Sequence, residues 1–177
     1  MAETEYRDPL GDRWGWRVAF VTVPAIVGFG SLSGWLSNSG FGNAWFDGLS
    51  KPAFMPPGWL FGVVWPILYT LLGIALAAVL QEPATKRRRQ ALILFYVQLA
   101  LNFAWSPIFF AAHDMRLALY VIVVMAAIAA IAAGQFRRIR PLAGWLMVPY
   151  LAWLCFAAVL NATIAKLNPS AGTSLLG

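Results

Sequence analysis

The feature that most constrains this chain of 177 residues is a series of five long apolar runs. Each run is free of Asp, Glu, Lys and Arg until its end, and each approaches or exceeds the roughly 20 residues that a helix needs to cross a bilayer. The runs cover approximately residues 18–36, 59–80, 91–111, 117–136 and 142–166. Because a backbone in lipid must satisfy its own polar groups, they predict five transmembrane helices.

The overall composition agrees with a membrane protein. Apolar residues make up 60% of the chain and charged residues 11%, with a mean hydropathy of +0.69, whereas a soluble domain is about one quarter charged. We therefore predict an all-α membrane protein, a five-transmembrane-helix bundle that forms one domain over residues 18–168. Residues 1–17 are expected to form a flexible cytoplasmic tail and residues 169–177 a C-terminal tail.

The distribution of Lys and Arg predicts the orientation of the bundle, because positive charge favours the cytoplasmic side. Ten of the 13 basic residues fall on the side that holds the N-terminus and the second and fourth connections. We expect a multi-pass protein of the cell membrane with a cytoplasmic N-terminus and with its C-terminus and long first connection outside. A signal peptide cleaved near residues 31–33 is the alternative, and the length of the first apolar run disfavours it.

The chain has few of the side chains that build catalytic or metal sites. Nine tryptophans accompany a single histidine, His113, and a single cysteine, Cys155. Zinc sites and Cys/His nucleophiles need several such residues close together. We therefore predict no catalytic residue, no metal site and no required cofactor. The basic residues occur in short clumps between apolar runs, a pattern of membrane topology rather than of nucleic-acid binding.

Several aromatic and amide side chains are predicted to lie deep in the outer half of the bundle, when depth is counted at about 1.5 Å per residue. They are Trp65 and Tyr69 on the second helix, Asn102 and Trp105 on the third, and Trp153 and Asn161 on the fifth. An amide in hydrocarbon needs a partner, and deep aromatic rings at one level favour a cavity for a flat apolar molecule. We predict that these residues bind a ligand beneath Trp45 of the first connection.

The alternative is that the buried amides only join helices. Gln98, Asn102 and Trp105 follow one another at spacings of four and three residues and therefore share one stripe of the third helix. Amides on such a stripe can hydrogen-bond neighbouring helices at about 1 kcal/mol each. The sequence leaves both interpretations open for Gln98, whereas the position of Asn102 beside Trp105 favours the cavity.

Other patterns concern the membrane interface and helix packing. Amphipathic rings near the ends of spans are expected at headgroup depth, and those of Trp14, Trp16, Trp59 and Trp145 fit that description. Prolines 24, 66, 107 and 149 fall inside predicted helices, where each frees a carbonyl and can kink its helix. Ala126, Ala130 and Gly134 form a row of small residues that favours close packing, within the bundle or between protomers.

The first connection carries the densest local pattern, with aromatic residues interleaved with prolines over residues 45–59. Proline fixes φ and restricts the residue before it, so this segment is predicted to form a stiff lid over the cavity. The lid residues are Lys51, Pro52, Phe54, Pro56 and Pro57. Lys51 either meets a ligand carboxylate or is an ordinary solvated lysine, and the sequence leaves both open.

Three blocks of residues at fixed spacing resemble the TspO/MBR family of tryptophan-rich sensory proteins and translocator proteins, also called peripheral benzodiazepine receptors. The first is Trp45-Phe46-x-x-Leu49-x-Lys51-Pro52-x-Phe54-x-Pro56-Pro57-x-Trp59-x-Phe61-x-x-x-Trp65-x-x-Leu68-Tyr69. The later blocks are Gln98-Leu99-x-x-Asn102-x-x-Trp105-x-Pro107-x-Phe109-Phe110 and Pro149-Tyr150-x-x-Trp153 followed by Leu160-Asn161. The resemblance covers about residues 18–168.

The resemblance implies a five-helix membrane bundle, usually a homodimer, that binds porphyrins such as protoporphyrin or haem and synthetic benzodiazepine-type or isoquinoline ligands. The family's binding residues that match here are Trp45, Trp65, Tyr69, Asn102, Trp105, Trp153 and Asn161. It implies porphyrin sensing, transport or disposal. The alternatives are light-dependent degradation of porphyrin and a role as a sterol or lipid carrier.

Departures from the family pattern bear on these alternatives. Ala53 and Met55 stand in the lid where many relatives have other residues, which indicates a different lid wall. Ala162 occupies the place of the tyrosine in a proposed cholesterol-recognition pattern, which lowers the expectation of sterol binding. Partners are expected to be the lipid bilayer, a porphyrin or other flat apolar molecule, and a second copy of the chain, with no nucleic acid.

Overall fold

The computed structural model describes residues 13–172, and its side chains from Trp16 onward. These residues form helices joined by short segments, and no strand occurs among them. The helices are α1 (Arg13–Leu36), α2 (Ala44–Asp47), α3 (Gly58–Leu80), α4 (Lys86–Ser106), α5 (Met115–Ile139), α6 (Pro141–Leu146) and α7 (Val148–Leu167), with a π-helical turn over Pro107–Ala111. Most of the predicted N-terminal tail, half of the C-terminal tail and the side chain of Trp14 lie outside the described residues.

The prediction of an all-α bundle with five spans is confirmed. The helical segments that are long and apolar enough to cross a membrane are Trp16–Leu36, Gly58–Leu80, Lys86–Ala111, Met115–Ile139 and Pro141–Leu167. Three of them extend the predicted runs into basic sequence, since α1 begins at Arg13, α4 begins at Lys86 and α5 runs from Met115 to Ile139. Lys and Arg are good helix formers, and the Thr85 side chain caps α4 by accepting from the Arg88 backbone N–H at 3.2 Å.

The last predicted helix differs from the continuous span expected from the sequence. The helix is interrupted at Met147, which divides it into the short α6 and the long α7. Pro149 therefore lies in the first turn of α7 and not in a helix interior. Proline suits this position because the first N–H groups of a helix have no intrahelical acceptor to lose.

The π-helical turn after α4 also departs from the predicted regular helix. Its signature is the bond from the Ala112 N–H to the Pro107 carbonyl at 2.9 Å, five residues back. Pro107 has no N–H to offer the carbonyl of Phe103, and the Ser33 hydroxyl of α1 donates to that carbonyl at 2.6 Å instead. The turn buries Phe109 and Phe110, and the bond from Ser33 joins α1 to α4.

The spans form a ring in the order α1, α3, α6–α7, α5, α4, with α4 returning to α1. The contact of α3 with the last span is made mainly through α6, so α3 and α7 scarcely touch. We call the end that carries residues 37–57 the loop end, and the opposite end, which carries residues 81–89 and 137–141, the basic end. The bundle is tight at the basic end and splayed between α3 and α7 at the loop end.

Polar contacts fasten the helices where the lipid offers no partner. The Thr22 hydroxyl of α1 donates to the Gly73 carbonyl of α3 at 2.8 Å. Gly73 permits this approach, since a Cβ there would come within 2.7 Å of the Val23 Cα. At the basic end the Arg88 guanidinium donates to the Val79 and Leu80 carbonyls at 3.1 and 2.8 Å, closing the C-terminus of α3.

The row of small residues on α5 divides between two faces of the helix. Ala126 packs against the core, whereas Ala130 and Gly134 are exposed. The face of α5 that packs within the bundle is instead formed by residues such as Ala129, Ala132 and Phe136. The outer part of the row is therefore not used within this chain.

Candidate ligand cavity

A cavity of about 290 Å³ lies inside the loop end of the bundle. Residues of α1, α3, α4, the π-helical turn, α5 and α7 form its walls, and Ser39, Gly40, Phe41, Phe46 and Met55 of the first connection form its roof. The predicted residues that line it are Trp65, Tyr69, Asn102, Trp105, Trp153 and Asn161. Three of the wall residues, Ser31 of α1 and Gly62 and Pro66 of α3, are exposed.

Aromatic rings close the gap that the splayed helices leave between α3 and α7. Trp65 and Trp153 meet edge to face, with ring centroids 6.5 Å apart at 84°. Tyr69 lies 5.2 Å from Trp65, and Phe61 lies 5.7 Å from Trp153. On the opposite wall, the Trp105 ring stacks on Phe109 at 5.1 Å and 20°. A flat molecule inside would therefore meet ring surfaces on both sides.

A chain of hydrogen bonds leads from the cavity wall into the core. The Tyr69 hydroxyl donates to Asn102 Oδ1 at 2.8 Å, and Asn102 Nδ2 donates to the Tyr150 hydroxyl oxygen at 3.0 Å. Tyr150 in turn donates to Gln98 Oε1 at 2.8 Å. The chain joins α3, α4 and α7. Gln98 does not line the cavity, so its role is to join helices, whereas Asn102 both joins helices and faces the cavity.

Two polar atoms of the lining are buried with no hydrogen-bond partner among the described residues. They are the indole Nε1–H of Trp105 and the side-chain oxygen of Asn161. The amide nitrogen of Asn161 donates to the Met115 carbonyl at 3.0 Å, which leaves its oxygen as the free acceptor. Because an unmade buried hydrogen bond costs about 1–3 kcal/mol, both atoms are suited to bind a polar group of a ligand or a water molecule.

Trp45, the remaining predicted ligand residue, is not among the lining residues. Its ring stacks on His113 at 4.3 Å and 17°, and its indole N–H donates to the Ala171 carbonyl at 2.8 Å. Trp45 therefore lies behind the roof, although its edge contacts Phe109 at 5.6 Å between ring centroids.

Lys51 and the other predicted lid residues build the connection rather than the cavity surface. The Lys51 ammonium donates to the carbonyls of Phe46, Asp47 and Leu49 at 2.7, 3.1 and 3.2 Å. It thus closes the C-terminus of the four-residue α2. The predicted lid residues absent from the lining are Lys51, Pro52, Phe54, Pro56 and Pro57. The Phe54 ring is half exposed and contacts Phe156 of α7 at 6.5 Å.

Comparison with known proteins agrees with this architecture. The pattern of the TspO/MBR family matches residues 20–167. The chain belongs to the TspO/MBR family. It is 38% identical over 157 residues to the Translocator protein of Sus scrofa, covering 88% of this chain and 91% of that one. It is 36% identical over 149 residues to the Tryptophan-rich sensory protein of Cereibacter sphaeroides, covering 84% and 90%.

A third relative, the Tryptophan-rich protein TspO of Chlorobaculum tepidum, is 40% identical over 126 residues, covering 71% of this chain and 80% of that one. The five apolar spans and the family together show that this TspO/MBR member is a multi-pass protein of a lipid bilayer.

Sequence analysis missed the contribution of α1 to the cavity of this TspO/MBR member. Four of the five residues from Gly30 to Gly34 are Gly or Ser, and all four line the cavity. This run is the signal that could have identified them, since small residues let other groups approach a helix closely. Gly30 faces the ring of Tyr69 so closely that a Cβ at this position would overlap it. Tyr150, wholly buried, was also not predicted as part of the site.

We expect Gly30→Ala to displace the Tyr69 ring and weaken its bond to Asn102, lowering the free energy of unfolding by about 1–3 kcal/mol through overpacking. Gly28→Ala is the matched control, because a Cβ there meets nothing within 4 Å. The control should be neutral or stabilising by up to about 1 kcal/mol. Thermal unfolding in detergent compares the two, and equal melting temperatures would show that α1 does not pack on Tyr69 as described.

Proposed function

We propose that this protein binds a porphyrin in the cavity at the loop end, as a step in sensing, transporting or disposing of tetrapyrroles. The observation that carries the proposal is the aromatic lining, in which Trp65 and Trp153 on one side and Trp105 on the other offer ring surfaces to a flat molecule. Each such contact contributes about 0.5–1.5 kcal/mol beyond the burial of area.

The unpartnered Trp105 N–H and Asn161 oxygen add polar contacts to this apolar space. A ligand pocket typically combines predominantly apolar walls with a few placed polar groups. The volume of about 290 Å³ is at the lower limit of roughly 300–1,000 Å³ for small-molecule sites. A porphyrin with its side chains is larger, so its binding requires that part of the macrocycle project from the cavity or that the roof move.

Tryptophan quenching during titration of the purified protein with protoporphyrin tests the proposal. We expect saturable quenching, and we expect Trp65→Phe and Trp153→Phe each to weaken binding about 2- to 10-fold, because the phenyl ring offers the ligand less surface than the indole. Trp145→Phe is the control, since Trp145 is 60% exposed on α6 and does not line the cavity. Unchanged affinity in both cavity variants would place the ligand elsewhere.

We further propose that the basic end faces the cytoplasm. The cations gathered there include Lys86, Arg87, Arg89, Arg137 and Arg138, while the loop end carries Lys51, Arg116 and Lys166. An excess of Lys and Arg marks the cytoplasmic side of a membrane protein. The N-terminus is then cytoplasmic, and the roof and the cavity face outward.

We also propose a homodimer, for which the exposed Ala130 and Gly134 offer a small-residue surface.

Fusions of alkaline phosphatase, which is active only outside the cytoplasm, test the orientation. A fusion after Asn38 follows one span and should be active, whereas a fusion after Pro83 follows two spans and should be inactive. Reversed activities would show that the N-terminus is outside.

A further inference from the structure

The segment that follows α7 lies on the connection that roofs the cavity. Asn168 exchanges two hydrogen bonds with the backbone of Ser50: the Ser50 N–H donates to Asn168 Oδ1 at 2.8 Å, and Asn168 Nδ2 donates to the Ser50 carbonyl at 2.9 Å. This reciprocal pair fixes the end of α7 against the connection immediately before Lys51.

A second attachment lies three residues further along the chain. The Ala171 carbonyl accepts a hydrogen bond from the indole N–H of Trp45 at 2.8 Å, and the His113 ring stacks on the Trp45 ring. His113 adopts a left-handed backbone conformation, with φ of 58°, in the short connection between the π-helical turn and α5. Residues 168–171 thus hold Trp45 and Ser50, which lie on either side of the roof residue Phe46 along the chain.

Movement at these attachments would be transmitted to the cavity. Phe46 lines the cavity from α2, and Trp45 is its neighbour in the same short helix. Lys51, next to Ser50, donates to the Phe46 carbonyl at 2.7 Å and keeps α2 and the following turn together. Residues 44–51, which carry Phe46 of the roof, therefore form one small unit, fastened to the end of α7 by side chains that do not touch the cavity.

We propose that residues 168–171 act as a strap that holds this roof closed, so that Asn168 and Trp45 are positioning residues that set how fast a ligand enters and leaves. The inference rests on the proposed porphyrin site for its ligand, but the strap is a property of the unliganded protein. Movement of the roof is one of the two ways in which a cavity smaller than a porphyrin can admit one.

Stopped-flow quenching with protoporphyrin, together with peptide-resolved hydrogen exchange of the unliganded protein, tests the strap. Asn168→Ala removes the pair with Ser50, and Trp45→Phe removes the bond to Ala171. The second variant is needed because Asn168 also donates to the Ile164 carbonyl at 2.8 Å and caps α7. Thr163→Val is the control, since its hydroxyl donates only to Val159 within the same helix.

We expect both strap variants to raise the association and dissociation rate constants together, by at least about threefold, with Kd changed by less than about twofold. Amides of residues 44–50 should exchange faster in both variants, and the control should match the natural protein. Rates that stay unchanged in both variants would overturn the gate, because ligand entry would then not depend on the strap. A weaker Kd with unchanged association would overturn it too, because Trp45 and Asn168 would then act on the bound ligand.

If the natural protein binds no protoporphyrin, the proposed function fails while hydrogen exchange still decides the strap. Unchanged exchange over residues 44–50 in both variants would then show that the segment after α7 does not hold the roof.

Discussion

The structure depends on one constraint, that a polar group inside a bilayer must find its partner within the protein. The chain from Tyr69 through Asn102 and Tyr150 to Gln98 meets most of that demand across three helices, although the side-chain nitrogen of Gln98 has no hydrogen-bond partner among the described residues. Tyr69, Asn102 and Tyr150 each donate to the next member, so the side chains fix one another's orientation. A wall held in this way presents the Tyr69 ring to the cavity in one position, which a purely apolar contact would not specify.

The same constraint explains why the cavity lies at the loop end. Pro107 interrupts the regular bonding of the third span, and its consequences are a π-helical turn and a carbonyl satisfied by Ser33 of α1. The turn directs Phe109 and Phe110 inward. On the opposite side, α6 packs against α3 and leaves α7 splayed from it. Aromatic rings occupy the resulting gap because their area is large enough to bridge helices that scarcely touch.

Much of this could be predicted from the sequence, because membrane helices are limited by length and hydropathy. The five spans and the inward stripe of Gln98 and Asn102 followed from uncharged runs and from spacing alone. The break at Met147 did not, since an apolar run gives no sign of where its backbone turns. The contacts of Trp45 and Lys51 could not be predicted for another reason: their partners are backbone carbonyls of Ala171 and of residues 46–49, and a sequence does not indicate which backbone acceptors a side chain will reach.

The proposed function requires that a flat ligand lie between Trp65 and Trp153, on α3 and α7, and Trp105 on α4. A structure of the purified protein with protoporphyrin bound is its most direct test. We predict density for the macrocycle inside the cavity, in contact with Trp65, Trp153 and Trp105, with a polar atom of the ligand or a water at Asn161 Oδ1. Density for the macrocycle only on the lipid-facing surface of the bundle, with the cavity unchanged, would contradict the claim.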